Sequence, residues 1–494
     1  MKRYLSWLIF VLYILISGVT IARHELWGDE VHSWNISKGS ATYPELIANR
    51  RFEGHPPGWY TILWTISRFS HDMKWMQTVQ WTLACTVAFI VIFHSPFPFL
   101  TRHLIPFGYF FIFEYAVLSR NYAIGILLIC CICWVLGKEF RYRTPLYYLL
   151  LFLASNTHLL VLLLAASIHA WWLLSRLGKP RIRLLGEAIL GVLLFLPAAR
   201  FIFPPSDSAL SVAVWISHWS VHKIAATVDL PLRSFLPIPA WWNYHFWNTH
   251  FLIEAKQTWP VFKIINLLVA TGLIAFGFFI LRANVKSMVL FGINCILSLA
   301  VTIVALPLTT TRYTGFIFVG WLVAYWLYCY ESVPPERERK WVDVLLGIHI
   351  LAGAFAVIRD ISLPFSNLFR VNAFIAEVPQ GRKLVTDYWT MNAVVAYTDK
   401  PAYCVDMDKT ISYVLWNPDV ATINNNHYRY TSGLQRYMTR EKIDNVYMIS
   451  EASPQILQRT DTRLYENFRL DLIDKKEDAL EKGSNLYLYK ISPL

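Results

Sequence analysis

The sequence has few charged residues and few cysteines for its length. Lys, Arg, Asp and Glu make up 16% of the 494 residues, whereas soluble domains carry about 25%. This deficit excludes an ordinary soluble domain and indicates a polytopic membrane protein. Six of the seven cysteines lie in apolar runs and only Cys404 lies in a polar region. A disulfide framework is therefore not expected, and the close group Cys130, Cys131 and Cys133 is interpreted as small buried hydrophobes.

The sequence also lacks internal repeats, low-complexity tracts and a glycine-rich phosphate loop. Its net charge of +12 comes from basic residues that cluster in short loops between apolar runs. This arrangement is the positive-inside pattern of membrane proteins and not a nucleic-acid-binding patch. Aromatic residues are abundant, with 21 Trp, 26 Tyr and 31 Phe, as is typical of membrane interfaces. We expect membrane lipids around the chain and no nucleic-acid partner.

Long apolar runs predict the membrane spans. Runs of the roughly 17–25 residues needed to cross a bilayer occur at 4–22, 76–94, 99–118, 120–137, 184–203, 260–281, 287–307, 313–330 and 341–359. A shorter pair follows the same pattern at 145–156 and 158–174. The first run is longer than a signal-peptide core and has no small-x-small cleavage site, so it is predicted to be an anchored span. Segment 56–70 opens with two prolines and is predicted to be half-embedded or re-entrant, which gives about eleven spans.

The loops predict the sidedness and the domain organisation. Basic loops at 138–143, 175–183, 282–286 and 336–340 are assigned to the cytoplasm. The first loop (23–55) and a large Trp-, Pro- and His-rich loop (204–258) are then extracytoplasmic. The predicted fold class is mostly α: a transmembrane helical bundle over 1–359, followed by a small extracytoplasmic α/β domain over 360–494. The strand-like pieces of that domain lie at 383–389, 401–406, 445–450 and 484–491.

The first external loop carries an acidic pair in the stretch LWGDEVHSW, residues 26–34. Asp29 and Glu30 follow the first span by a few residues, at the level of the lipid headgroups. A carboxylate in this place is suited to take a proton from an acceptor hydroxyl while a sugar carbon is attacked from the opposite face. The alternative is a solvated or helix-capping acid pair without a chemical role.

A second motif lies at the end of the same loop, in RRFEGHPPGWY (50–60). The two prolines stop a helix from running through His55, so Glu53 and His55 are presented at the membrane surface. A histidine there suits a phosphate oxygen or, together with Glu53, a divalent metal ion. The alternative is an interfacial histidine held by the backbone.

Two arginines lie at predicted outer membrane boundaries. Arg120 occurs in LSRNYAIGI and Arg312 in TTTRYTGF, where Tyr313 follows it. Both depart from the basic-inside trend, and arginine suits bidentate phosphate recognition. The alternative for each is a snorkelling interfacial anchor. His158, in NTHLL, lies at the outer end of the split pair of runs, and a structural role is the stronger interpretation for this lone histidine.

Taken together, these motifs resemble the bacterial GT-C glycosyltransferases, and most of all the glycosyltransferase-39-like group with its protein O-mannosyltransferase and aminoarabinose transferase relatives. The resemblance covers residues 1–330 and is loose in the C-terminal domain. It implies an inverting enzyme of the bacterial inner membrane, with its active site and C-terminal domain on the extracytoplasmic side. The implied donor is a polyprenyl-phosphate sugar, and the implied acceptor is a glycan, lipid or protein.

The resemblance also implies roles for individual residues. Asp29 is the expected base, with Glu30 as the neighbouring candidate. His55 stands where relatives often have a lysine near the donor phosphate, and this departure puts the phosphate contact in doubt. Arg120 and Arg312 match family arginines near the lipid phosphate. The remaining candidates are Tyr313 at the phosphate, Tyr122, His158 and Glu53 in support, and Glu53, His55, His245 and His250 as ligands of a divalent metal ion that some relatives use.

Two other classes of function stay open at this stage. A transporter or flippase for lipid-linked glycans should carry ionisable residues in mid-membrane positions. Apart from Glu114 and Glu187, the ionisable residues gather at the boundaries, which favours surface chemistry. A non-catalytic envelope assembly protein would instead use the region 360–494 to bind partners.

Overall fold

The computed structural model describes residues 2–211, 221–305, 310–424 and 426–494. Part of the predicted external loop, residues 212–220, lies outside the described residues, as does the end of the predicted run 287–307. The described residues before 363 form helices joined by loops and turns. The α-helices among them are, in order, α1 (Lys2–Arg23), α2 (Gly28–Gly39), α3 (Tyr43–Arg50), α4 (Gly58–Ser67), α5 (Lys74–His94), α6 (Phe99–Leu104), α7 (Tyr122–Leu136), α8 (Arg143–Ser155), α9 (Leu159–Leu174), α10 (Arg181–Ile202), α11 (Val221–Ala226), α12 (Asp229–Phe235), α13 (Phe251–Thr258), α14 (Val261–Leu281), α15 (Val285–Val304), α16 (Thr311–Glu331) and α17 (Glu336–Ser362).

Seven of the described helices are long and apolar enough to cross a membrane, as in a multi-pass membrane protein: α1, α5, α10, α14, α15, α16 and α17. Two more, α7 and α9, are apolar but shorter. Helix α4 has 10 residues. At a rise of about 1.5 Å per residue, such a helix covers only half of a hydrocarbon core of about 30 Å. The figure of about eleven spans stays a prediction.

The prediction of one spanning helix over 99–118 is wrong. The run is divided into α6, a 3₁₀ turn (Ile105–Phe107) and a π-helical turn (Phe110–Glu114). Pro106 lies in the 3₁₀ turn and has no backbone N–H to continue the helix. Gly108, which follows, packs closely against His349 of α17. The break brings the segment Tyr115–Asn121 back toward α2, where it contributes to the site described below.

The C-terminal region folds around a six-stranded sheet, within the described parts of residues 384–493. The strands are β1 (Leu384–Thr386), β2 (Ala402–Cys404), β3 (Lys409–Ile411), β4 (Val446–Ser450), β5 (Phe468–Lys476) and β6 (Leu486–Pro493), in the spatial order β3-β2-β1-β4-β6-β5. The strands β2, β1 and β4 are parallel neighbours, and β3, β6 and β5 pair antiparallel. The helical elements of this region are a 3₁₀ turn (Leu368–Arg370), α18 (Val371–Glu377), α19 (Met391–Thr398), α20 (Pro418–Asn424), α21 (Arg429–Glu441), α22 (Pro454–Thr460) and α23 (Leu464–Asn467).

All four strands expected from the sequence are present, as β1, β2, β4 and β6. The strands β3 and β5 were not predicted. β3 has only 3 residues. β5 carries Arg469, Asp471, Asp474, Lys475 and Lys476 at the outer edge of the sheet, and such charges conceal a strand signal while they protect an edge from further pairing.

Helix α2 joins the membrane region to the sheet region. The Asn35 side-chain amide donates a hydrogen bond to the backbone carbonyl of Asn392 in α19 at 2.7 Å, and Lys38 pairs with Asp399 at 2.6 Å. The inner face of α2 packs in one apolar cluster with α4, α18, α19 and the strands β4 and β6. Residues near the start of α2 are therefore held between the membrane helices and the sheet.

Candidate functional site

The acidic pair lies in the first turn of α2, where carboxylates stabilise the positive end of the helix dipole. The two side chains point to different surroundings. The Asp29 side chain is 43% exposed, whereas that of Glu30 is fully buried. This difference separates a carboxylate that is open to a ligand from one that is enclosed.

Glu30 is held by three partners. It accepts hydrogen bonds from the backbone N–H of Ser119 at 2.5 Å and of Trp27 at 3.0 Å, and it lies 3.2 Å from Nε2 of His24. The other nitrogen of His24 lies 3.0 Å from Asp360 at the end of α17. Burial disfavours the charged imidazole, but the two carboxylates outweigh it and raise the pKa of His24 to about 10. Glu30 therefore belongs to a buried charge network that joins α1, α2 and α17.

Asp29 faces two buried arginines. Its carboxylate lies 3.2 Å from Arg312 and 3.8 Å from Arg120. Arg120 also donates to the backbone carbonyl of Asp29 at 2.5 Å and to the Ser33 hydroxyl at 2.6 Å. The structure thus brings together three residues from separate predicted motifs, at positions 29, 120 and 312.

Aromatic rings enclose the Arg312 guanidinium. Its centre lies 4.8 Å from the ring centroid of Trp27 and 5.2 Å from that of Tyr313, and its Nε donates to the Tyr122 hydroxyl at 3.2 Å. Cation–π contacts of this kind hold a guanidinium in place without neutralising it. Arg312 therefore stays a cation with hydrogen-bonding capacity toward an anion.

His55 lies behind these groups against His158, with the ring centroids 5.3 Å apart. The Nδ1 atom of His55 is buried and has no hydrogen-bond partner among the described residues. Burial, followed by the neighbouring His158 and the arginines, lowers the pKa of His55 well below its ordinary value. His55 is therefore neutral at physiological pH, and its interaction with a phosphate would be a hydrogen bond rather than an ion pair. His158 also stacks on Tyr313 at 6.0 Å.

Arg50 is a buried cation that the sequence interpretation missed. Its side chain is fully buried at the end of α3, and none of its three guanidinium nitrogens has a hydrogen-bond partner among the described residues. It lies 4.1 Å from the ring of Phe201. Burial lowers the pKa of Arg50 to about 10, so the group is still charged at neutral pH. A buried, unpaired charge is costly, which makes Arg50 a candidate partner for an anion.

The four candidate metal ligands do not come together. Glu53 pairs with His32 at 2.8 Å, and His55 packs on His158. His250 faces the Leu236 carbonyl at 2.8 Å, and His245 lies 3.4 Å from a carbonyl of the C-terminal region. Within the described ranges, no group of three or more His, Cys, Asp or Glu residues is arranged to hold a metal ion.

A cavity of about 340 Å³ lies beside Asp29, and neither Arg120 nor Arg312 is among the residues that line it. Its membrane-side wall comes from the start of α2 and its opposite wall from the segments that follow β1 and β4. The carboxyl ends of parallel strands are the usual ligand-binding edge of an α/β sheet. The lining residues are Trp27, Gly28, Asp29, His32, Asp387, Tyr388, Trp389, Asn392, Val414, Trp416, Glu451, Ala452, Ile456, Glu481, Gly483 and Ser484.

None of the lining residues from the C-terminal region was predicted from sequence, and three of them are acidic. Asp387 follows β1 directly and Glu451 follows β4 directly, and this position at strand ends was the signal available in the sequence. Glu481 lies in the loop before β6 and carries no such signal. Asp29 and Trp27 both contact Arg312 and line the cavity, so they connect the arginines to the C-terminal part of the site.

No protein-family model matches this chain, and no curated protein is significantly similar to it in sequence. The candidate function therefore depends on the geometry of the site.

Proposed function

We propose that this protein is an inverting glycosyltransferase that moves a sugar from a polyprenyl-phosphate donor to an extracytoplasmic acceptor. The proposal includes about eleven spans, a bacterial inner-membrane location, and an active site and C-terminal domain on the extracytoplasmic side. One observation carries it: Asp29 lines the cavity of about 340 Å³, and its carboxylate lies 3.2 Å from Arg312.

The groups around Asp29 suit two substrates, the arginines the donor phosphate and the cavity the acceptor. Arg120 and Arg312 offer guanidinium forks for a phosphate, in the geometry that arginine uses for bidentate recognition. The neutral His55 and Arg50, whose guanidinium has no hydrogen-bond partner among the described residues, add hydrogen-bond donors in the same part of the molecule. The cavity receives the acceptor, so its hydroxyl reaches the exposed carboxylate from the side away from the arginines.

The reaction follows from these positions. Asp29 takes the proton of the acceptor hydroxyl, and the oxygen attacks the anomeric carbon of the donor sugar from the face opposite the phosphate. The new carbon–oxygen bond forms as the bond to the phosphate oxygen breaks. The lipid phosphate leaves as an anion without needing a proton, and Arg120 and Arg312 stabilise its charge.

Mass spectrometry of envelope glycoconjugates tests the proposal. Four strains are compared: a deletion, and the deletion complemented with the native chain, Asp29→Asn or Asp207→Asn at equal membrane abundance. Asp207 is an exposed carboxylate in the large external loop and serves as the matched control. We expect a glycan mass that vanishes on deletion, returns with the native and Asp207→Asn chains, and stays absent with Asp29→Asn.

The size of the effect follows from the role of the base. A positioned general base contributes about 10²–10⁴-fold to the rate, so the Asp29→Asn chain should lose at least about 100-fold in turnover. Full restoration of the glycan by Asp29→Asn contradicts the assignment. In that case a transporter or a non-catalytic assembly role for lipid-linked glycans takes its place.

A further inference from the structure

The cavity beside Asp29 has a composition that indicates its ligand. Its volume of about 340 Å³ lies within the range of ligand pockets, about 300–1,000 Å³. Two of its lining residues carry buried polar atoms without a hydrogen-bond partner among the described residues, namely Oδ1 of Asn392 and Nε1 of Trp27. Asn392 is buried, with a relative exposure of 9%. Buried polar atoms usually have a hydrogen-bond partner, so these two mark an unsatisfied polar part of the residues that line the cavity.

Three indole rings form much of the wall. Trp389 is 51% exposed although it lines the cavity, and its ring centroid lies 5.5 Å from that of Trp416. Trp27 contributes from the membrane side. Broad exposed rings of this kind pack against flat apolar faces, and the C–H face of a sugar ring is such a surface. This wall therefore favours a saccharide.

Acidic side chains outnumber basic ones in the cavity lining, where His32 is paired with Glu53. Asp29, Asp387, Glu451 and Glu481 line it, and its described lining contains no Lys or Arg. Asp387 accepts hydrogen bonds from the Ser450 hydroxyl and from the Thr390 N–H, and Glu481 accepts one from the Ser484 hydroxyl.

The Glu451 carboxylate stands apart from the others. The Glu451 backbone N–H donates to the Thr390 hydroxyl at 2.7 Å, but its carboxylate has no hydrogen bond or ion pair among the described residues. Burial, together with Asp387 and Glu481, raises the pKa of Glu451 well above its ordinary value. A cation near this group would remove the penalty that the neighbouring carboxylates impose on its charged form.

We infer that the cavity is the acceptor site and that its acceptor is a saccharide bearing a protonated amine. The ammonium group donates to Glu451, the sugar ring packs on Trp389, and a hydroxyl reaches Asp29. An anionic saccharide is disfavoured, because it would face four acidic side chains and a histidine, His32, whose charge Glu53 already balances. The identification of this ligand as the acceptor rests on the proposed function.

Calorimetric titration of the full-length protein in lipid nanodiscs tests this inference. Three probes are compared without any donor lipid: a glucosamine trimer with protonated amines, its N-acetylated counterpart, and a galacturonic acid trimer. We expect the glucosamine trimer to bind at least about tenfold more tightly than the N-acetylated trimer, because charge-assisted hydrogen bonds are the stronger ones. The acidic trimer should bind most weakly.

Three variants separate charge from stacking. Glu451→Gln should lose about tenfold in affinity for the glucosamine trimer and keep its affinity for the N-acetylated trimer, which also shows that the variant is folded. Trp389→Ala removes a half-exposed ring and should weaken the binding of both. Glu466→Gln, an exposed glutamate in α23, should change neither.

Equal affinity for the three trimers, or an unchanged Glu451→Gln chain, overturns the inference. The outcome is independent of catalysis, since no donor is present. Binding of the aminated probe by a chain that transfers no sugar would contradict the proposed function alone. Sugar transfer without a preference for aminated acceptors would contradict the acceptor inference alone.

Discussion

Replacement of Glu30 by glutamine should damage stability and spare the chemistry. Three donors converge on the Glu30 carboxylate: the N–H groups of Ser119 and Trp27, at 2.5 and 3.0 Å, and Nε2 of His24 at 3.2 Å. A glutamine has one oxygen for them. In its better orientation it keeps Trp27 and His24 and turns its NH₂ group toward the N–H of Ser119.

The cost follows from these contacts. A buried N–H without an acceptor costs about 1–3 kcal/mol, and the two remaining hydrogen bonds lose roughly 1 kcal/mol of charge assistance. We expect Glu30→Gln to lower the free energy of unfolding by about 2–4 kcal/mol. The exposed Glu139→Gln serves as the control and should stay within about 0.5 kcal/mol of the native chain.

Tryptophan fluorescence during unfolding in detergent measures the change, and sugar transfer by the folded fraction measures the chemistry. We expect kcat within about threefold of the native value, because the Glu30 side chain does not line the cavity. A stability loss below about 1 kcal/mol would refute the hydrogen-bond reasoning. A large fall in kcat at native stability would instead give Glu30 a role in the reaction.

Three further predictions concern buried groups near the site and in the sheet region. Arg50→Met should raise the KM for the lipid donor about tenfold or more, as donor titration would show. Dye-monitored melting should find the donor-free variant at least as stable as the native chain. An unchanged KM would mean that Arg50 is not part of the anion site. Burial lowers the pKa of His32, but the Glu53 carboxylate outweighs it and the pKa is raised overall. The pair therefore stabilises the fold fully below the unfolded pKa of about 6.5 and less as pH rises through the higher folded pKa. The difference in unfolding midpoint between the native chain and Glu53→Gln should become smaller as pH rises. A difference that does not change with pH would contradict a stabilising ion pair between His32 and Glu53. Gly433→Ala should destabilise the C-terminal region by about 1–3 kcal/mol, because the added Cβ would lie 2.0 Å from the Val405 carbonyl oxygen; unchanged proteolysis kinetics would count against it.

The strongly periodic and strongly apolar parts of the fold were predictable from the sequence. Apolar length alone identified α1 and α14, because a bilayer sets the length of a spanning helix. The same criterion failed over 99–118, where the run is apolar but Pro106 interrupts the backbone hydrogen bonds. Apolar composition reports burial or a membrane environment, and it does not report whether one continuous helix provides it.

The candidate site was predictable as a set of residue types and not as a geometry. Asp29 could be selected as an acid just beyond the first span, and Arg120 and Arg312 because they depart from the basic-inside trend. Their proximity could not, since it depends on the break after α6 and on the start of α16. Arg50 escaped notice because one arginine among the neighbouring basic residues of a loop carries no sign of burial. Glu451 escaped because it belongs to a polar domain in which acidic residues are common.

The buried network of His24, Glu30 and Asp360 bears on biosynthesis. Asp360 follows His24 by 336 residues. At about 5–20 residues per second, the ribosome delivers it roughly 17–67 s later. During that interval the first helix and the start of α2 are already made, while the carboxylate that completes their charge network is not. A nascent chain that ends before α17 therefore exposes an incomplete ionic cluster at the membrane surface, and the closure of this cluster marks the completion of the membrane region.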